Sequence, residues 1–152
     1  MRTAPLFRLP RALPVATAAA LAVAGVATVG TAPAEAAAKS CGFEFTHRQP
    51  SVYPPEIIGN GFAQCDVPPE EHSLILALEY RQGERWVNAA HIRDAGIPPG
   101  PPGRRSYEVK AACYAGTWRV SMSVTGSIQG QPFVFSDYSR TREVPTTQCP
   151  SR

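Results

Sequence analysis

The sequence predicts an all-β fold, an antiparallel Ig-like β-sandwich stapled by two disulfides. The first observation is a strict alternation in which Trp118, Val120, Met122 and Val124 share one face and polar residues occupy the other. A period of two is typical of a half-buried β-strand, whose apolar face needs a second layer to cover it. The other two observations are the recurrence of short alternating segments between turn signals and the presence of four cysteines.

Eight segments show the strand pattern, with turn residues about every eight to twelve positions between them. Residues 73–81 place three leucines and Tyr80 on one face. A helix is the competing interpretation for residues 74–80, but the even spacing and the hairpin-like turn at 82–84 favour a strand. The predicted strands are 41–46, 62–65, 73–81, 85–92, 106–113, 117–125, 131–136 and 140–144.

Two regions are less clearly patterned. The strand 85–92 alternates in either of two registers, through Trp86 or through Val87, and the sequence does not choose between them. Residues 47–60 contain three prolines and are expected to form a loop or an irregular edge. The Asn-Gly dipeptide at 60–61 is expected to be a turn.

Residues 1–38 are expected to be a secretory signal peptide, and residues 39–152 a single β-sandwich domain. The N-terminal segment has three arginines, then a small apolar run over 15–30 and alanine-rich cleavage candidates. That run is short and rich in Ala and Gly, and no later run approaches about 18 apolar residues, so no membrane span is expected. A lipid anchor on Cys41 is disfavoured because Lys39 lies two positions before it, and the residue three positions before it is Ala38 and not Leu or Val.

The charge balance argues against nucleic acid as a partner. The full chain has fifteen basic and twelve acidic residues. Without the three arginines and Glu35 of the predicted signal peptide, twelve basic and eleven acidic residues remain. A near-neutral domain lacks the basic excess that nucleic acids and anionic membrane surfaces select. Its length of about 114 residues suits one domain, which we expect to be a monomer.

Four cysteines in a secreted chain imply two disulfides with three possible connectivities. Spacing and strand placement favour Cys41–Cys65, which would join the first strand to the segment after it, and Cys113–Cys149, which would tie down the tail. A metal site is disfavoured, since there is no Cys-x-x-Cys pair and no histidine at ligand spacing from a cysteine. Neither a metal nor another cofactor is expected.

The sequence offers little support for catalysis. His72 follows three acidic residues at 66, 70 and 71, but a solvated connector with a histidine at a strand start is the preferred interpretation. Residues 126–130 resemble a nucleophile elbow only loosely, because Thr125 replaces its first glycine and no helix follows. With no free thiol, no phosphate loop and no dinucleotide motif, no catalytic residue is predicted.

The segment from Arg93 to Arg105 is the best candidate contact surface. Its Pro-Pro-Gly-Pro-Pro-Gly run at 98–103 excludes a central strand or helix and predicts an exposed loop with polyproline II character. A stiff loop on a cross-linked scaffold is a common way to present a binding surface, although it could also be a simple connector. The candidate partner-binding residues are Arg93, Ile97, Pro98, Pro99, Pro101, Pro102, Arg104 and Arg105.

Residues 113–119 read Cys-Tyr-Ala-Gly-Thr-Trp-Arg. With the alanine-rich N-terminal segment and the four cysteines, this element resembles the small secreted four-cysteine proteins of high-GC Gram-positive bacteria. No activity is assigned to that group, so the resemblance implies a secreted, disulfide-bonded domain and transfers no catalytic residue.

The sequence leaves three functions open. The preferred hypothesis is a non-catalytic binding module for an unknown extracellular protein or cell-surface component, acting through the loop over 93–105. The first alternative is a protease inhibitor that uses this loop or residues 50–55. The second alternative is a small extracellular hydrolase, because a site assembled from distant residues leaves no motif.

Overall fold

The computed structural model describes residues 40–152, which form nine β-strands and no helix. The predicted signal peptide, residues 1–38, lies outside the described residues. In the described part of the chain, no helix is long and apolar enough to cross a bilayer. The strands are β1 (Cys41–Phe45), β2 (Ser51–Tyr53), β3 (Glu56–Cys65), β4 (Glu71–Gln82), β5 (Arg85–Asp94), β6 (Arg105–Ala112), β7 (Gly116–Ile128), β8 (Gln131–Tyr138) and β9 (Arg142–Val144).

The strands make two antiparallel sheets that pack against each other. In the four-stranded sheet, β3 is central, with β1 and β2 along one edge and β6 along the other. The five-stranded sheet has the order β5-β4-β7-β8, and β9 pairs with β7 beyond the end of β8. This arrangement confirms the predicted antiparallel β-sandwich.

The core lies between the sheets and is built from the residues that alternate in the sequence. The apolar face of β7 is buried, as predicted, because the four-stranded sheet covers it. The indole Nε1 of Trp118 donates a 2.8 Å hydrogen bond to the main-chain oxygen of Tyr114, so burial leaves no indole donor unpaired. The other main contributors are Leu74, Leu76 and Leu78 from β4, Ile57 from β3, and Tyr107 and Val109 from β6.

The predicted loop over 47–60, with its Asn-Gly turn, is wrong for most of that segment. β3 runs without a break through the Asn-Gly dipeptide, and β2 pairs with it. A Cβ atom at Gly59 would lie 2.9 Å from Cγ2 of Val120, and one at Gly61 would lie 2.5 Å from Cε of Met122. The glycines therefore allow the two sheets to approach closely rather than making a turn.

The register of β5, which the sequence left open, changes along the strand. Leu78 pairs with Ala90, whereas the next residue, Glu79, pairs with Asn88. Ala89 is thus an extra residue in the ladder, which is a β-bulge. Because the bulge exchanges the two faces of β5, neither of the two simple registers holds over its whole length.

Both favoured disulfides are present, and none of the described cysteines is free. Cys41 and Cys65 lie directly opposite each other in the β1–β3 ladder. Cys113, just after β6, is bonded to Cys149 in the C-terminal segment. All four cysteines are buried, so each disulfide also packs as part of the core.

Candidate functional site

The predicted contact loop links the two sheets, since it leads from the end of β5 to the start of β6. No strand or helix forms between residues 95 and 104, as its prolines predicted. The loop is attached to β3 beneath it. The main-chain N–H of Cys65 donates to the oxygen of Pro99 (3.1 Å), and Nε2 of Gln64 donates to the oxygen of Gly103 (2.9 Å). Pro98 is fully buried, contrary to the expectation of an exposed loop throughout.

An ion pair closes the base of the loop. Nε and Nη2 of Arg105 donate to the two carboxylate oxygens of Asp94, each at 2.9 Å. The main-chain N–H of Gly96 donates to the same carboxylate at 2.7 Å. The hydrogen bond from Arg105 is the main cause that lowers the pKa of Asp94, with the Gly96 N–H acting in the same sense. Arg105 was predicted to contact a partner, but in the structure it is paired with a carboxylate of its own chain.

The outward side of the loop is apolar with a basic flank. Ile97 is 42% exposed, which makes it one of the more exposed large hydrophobic side chains in the described residues. The guanidinium carbon of Arg104 lies 4.9 Å from the ring centroid of Phe62, so this side chain contacts an aromatic residue of β3. Arg93, on β5 opposite Ile75, is exposed. The other exposed members of the predicted set are Pro99, Pro101 and Pro102.

A buried polar cluster lies between this loop and the core. His72 of β4 and Tyr107 of β6 are each only 5% exposed. The ring of Phe43 stacks on the imidazole with centroids 6.1 Å apart and planes inclined by 19°. Within residues 40–152, no hydrogen-bond partner is found for either imidazole nitrogen of His72 or for the hydroxyl of Tyr107. Buried polar atoms without a hydrogen-bond partner lower the free energy of unfolding, because they have lost their hydrogen bonds to water.

Burial dominates the titration of both groups. It lowers the pKa of His72, opposed by the main chain of Gly96, which approaches the imidazole without reaching hydrogen-bond geometry, and by the charge of Asp94. It raises the pKa of Tyr107 to about 12. Both side chains are therefore neutral at pH 7 and closed to solvent, which suits packing rather than proton transfer to a substrate.

The solvated setting predicted for His72 is wrong, since the side chain is buried, although the residue does lie at the start of a strand. The neighbouring Glu70 is turned elsewhere and accepts from the main-chain N–H of Gly130 at 3.0 Å. The carboxylate that influences His72 is Asp94, which comes from another strand. The sequence did contain a signal of burial, because His72 is in phase with the buried leucines of β4.

A second feature, absent from the sequence interpretation, is a row of side chains on the outer face of the five-stranded sheet. The guanidinium of Arg119 lies between the rings of Trp86 (4.2 Å) and Tyr138 (3.9 Å). Its Nε donates to the carboxylate of Glu79 at 2.6 Å, and the hydroxyl of Ser121 donates to that carboxylate at 3.2 Å. The row spans β5, β4, β7 and β8 and fixes these side chains to one another.

Comparison with known proteins does not assign this chain to a family. No family model matches the chain, and no curated protein sequence matches it significantly. Among solved structures, it is similar to a crystal structure of a protein from Archaeoglobus fulgidus, with 12% identity and a TM-score of 0.37. That similarity covers 70% of this chain and 95% of the other, and it carries no argument about function.

Proposed function

We propose that this chain is a secreted, non-catalytic binding module, with an Ig-like arrangement of its sheets, for an extracellular protein or cell-surface component. Two buried disulfides support secretion, because such bonds form and persist in oxidising compartments. The basic and apolar N-terminal segment supports it as well. The near-neutral charge of the domain argues against nucleic acid as the partner.

The main support for the proposal is that the loop is held in place by contacts with the rest of the domain, whereas its outward side is exposed to solvent. Buried Pro98, the hydrogen bonds to β3 and the Asp94–Arg105 pair hold its conformation before any partner arrives. A preorganised loop loses little conformational entropy on binding, so more of its contact energy appears as affinity. Its anchored residues act as scaffold, and Ile97 and the exposed prolines act as the contact surface.

The chemistry of this surface limits the partner. Ile97 and the three exposed prolines offer a rigid apolar ridge. Arg104, at the edge of the ridge, has no carboxylate partner among the described residues. The ridge therefore fits a shallow apolar groove with an acidic group at its rim.

The experiment is capture on immobilised protein, residues 39–152, from culture supernatant and cell-envelope extract of the producing organism. Ile97→Asp tests the ridge, and Tyr53→Asp is the matched control, since Tyr53 is 64% exposed on β2. We expect a component that the wild type and the control retain and that Ile97→Asp retains at least about 10-fold less, a difference of about 1.4 kcal/mol. Equal retention by all three proteins would exclude the loop as the binding surface.

The same proteins separate the alternatives. Complete inhibition of a secreted serine protease at a 1:1 ratio, relieved by Ile97→Asp, would replace the binding module by an inhibitor. Turnover of an ester, peptide or glycan substrate that Ile97→Asp leaves unchanged would instead indicate a hydrolase with a site elsewhere.

A further inference from the structure

β8 is an edge strand with one free side. Within the described residues it pairs only with β7. The main-chain N–H of Ser139 donates to the oxygen of Val120 at 2.8 Å, and these two residues are opposite each other when the β7–β8 register is continued by one residue beyond Ser121 and Tyr138. Because successive residues of a strand direct their main-chain groups to alternate sides, the even-numbered residues of β8 direct theirs away from β7. Val134, Ser136 and Tyr138 therefore form the free edge.

The free edge is also apolar. Among residues 40–152, five large hydrophobic side chains are exposed, and two of them lie on β8: Val134, at 72%, and Tyr138, at 52%. They are four positions apart and on the same face of the sheet, with Ser136 midway between them. An exposed apolar edge of this kind is a template for pairing with another strand. Asp137 partly protects this edge against strand pairing, since its carboxylate accepts a hydrogen bond from the N–H of Tyr138 at 2.7 Å.

We propose that the free edge of β8 binds β8 of a second copy of this chain, antiparallel, around a two-fold axis at Ser136. In that register Val134 of each copy lies opposite Tyr138 of the other, so the exposed apolar residues cover each other. Val134 and Ser136 fall in hydrogen-bonded pairs, which is what their outward main-chain groups require. Tyr138 does so as well once its N–H exchanges the carboxylate of Asp137 for the main-chain oxygen of Val134 in the other copy. Asp137 lies opposite Phe135 and not opposite its own counterpart, so like charges do not meet directly.

This self-complementarity favours a second copy over an unrelated peptide, because both apolar residues find their match in the same strand. The contact is small compared with a stable dimer interface, so we expect a Kd in the range of about 10 μM to 1 mM. The dimer would be a continuous ten-stranded sheet, with the two β5 strands about 34 Å apart at a spacing of ~4.8 Å per strand. It departs from the expected monomer and rests on a surface separate from the proline loop.

Cross-linking tests the register. Opposite residues of a hydrogen-bonded pair have Cα atoms about 5.5 Å apart, within the range of about 4.4–6.8 Å that a disulfide spans. Ser136→Cys is thus expected to form a covalent dimer under mild oxidation at 100 μM protein. Ser123→Cys is the matched control, since Ser123 lies opposite Ser136 on β7 and would be about 14 Å from its counterpart across the axis. Equal cross-linking at both positions, or none at Ser136→Cys, would overturn the proposed register.

Sedimentation equilibrium from about 10 μM to 1 mM tests the surface without a new thiol. The wild type should show reversible dimerisation, and Val134→Lys should raise the dimer Kd at least 10-fold by placing a charge on the edge. Tyr53→Lys, at an exposed apolar site on another strand, should dimerise like the wild type. A wild type that stays monomeric at 1 mM, or a Val134→Lys variant that dimerises unchanged, refutes the proposal.

Discussion

Replacing Gly59 with alanine should destabilise the fold, because the added methyl group meets the facing sheet. A Cβ atom there would lie 2.9 and 3.2 Å from the two γ-methyl groups of Val120 and 3.1 Å from Cγ1 of Val109. Valine is stiff about χ1, so these groups yield only if a strand shifts. Overpacking of this kind lowers the free energy of unfolding by about 1–3 kcal/mol. Alanine also reduces the conformational entropy of the unfolded chain, which offsets about 0.4–1 kcal/mol of this, so the net loss lies between about 0 and 2.6 kcal/mol.

The double variant gives the sharper result. Val120→Ala alone removes two buried methyl groups, worth about 1.6 kcal/mol of transfer free energy, and leaves a cavity, so we expect a loss of about 2–3 kcal/mol. In Gly59→Ala/Val120→Ala, the new methyl group occupies part of that cavity and its clash is gone. The combined loss should therefore be smaller than the sum of the single losses by at least about 1 kcal/mol.

Urea unfolding, followed by tryptophan fluorescence, measures these differences, since Trp118 is buried beside this contact. Gly42→Ala is the matched control in the same sheet, where the nearest atom to an added Cβ would be 3.9 Å away. Its stability should equal or slightly exceed that of the wild type. If Gly59→Ala matches Gly42→Ala, or if the double variant is additive within about 0.5 kcal/mol, the close approach of the sheets at Gly59 is not what requires glycine.

Three further outcomes are expected. Replacing Cys113 and Cys149 by alanine opens a loop with a sequence separation of 36, so the free energy of unfolding in urea should fall by about 3.8 kcal/mol from chain entropy alone; a fall below about 1 kcal/mol contradicts this. Burial lowers the pKa of His72 in the folded state, so the unfolded chain binds more protons and stability should fall as the pH drops below about 6.5. His72→Leu should flatten that slope between pH 6.5 and 5, and an unchanged slope excludes His72 as its source. Burial raises the pKa of Tyr107 to about 12, so the unfolded chain loses this proton first and stability should fall as the pH rises above 10. Tyr107→Phe should reduce this fall. The same substitution should leave the free energy of unfolding at pH 7 within about 1 kcal/mol of the wild type, because the hydroxyl has no hydrogen-bond partner among residues 40–152.

The sequence predicted elements whose two faces differ clearly. β4 and β7 are half-buried strands, so their alternation of apolar and polar residues reports directly which face meets the core. Only the 62–65 part of β3 was predicted, and its first part was missed because Gly59 and Gly61 have no side chain to report a face. What requires glycine there is the position of Val120 and Met122, about 60 residues away, and local patterns contain no record of so distant a contact.

For the candidate site, the sequence predicted where the loop is but not how it is anchored. Composition alone located the loop, because consecutive prolines exclude regular structure wherever they occur. Its anchoring depends on a burial and an ion pair that arise only when β5 and β6 are brought together, so Pro98 and Arg105 were expected to be contact residues. Likewise, the stacking of Arg119 joins side chains from three strands, and no spacing along the chain encodes it.

The two proposals use opposite edges of the five-stranded sheet. At the β5 edge, the chain passes directly into the loop that joins it to the other sheet. At the β8 edge, the carboxylate of Asp137 accepts from the outward N–H of Tyr138, and just beyond the strand the N–H of Arg140 donates to the oxygen of Arg48 at 2.8 Å, while Val134 stays exposed. The two edges lie about 14 Å apart across three strand spacings, beyond the range in which substitutions usually couple. Ile97→Asp should therefore leave dimerisation unchanged, and Val134→Lys should leave capture by the loop unchanged, so that each surface can fail without the other.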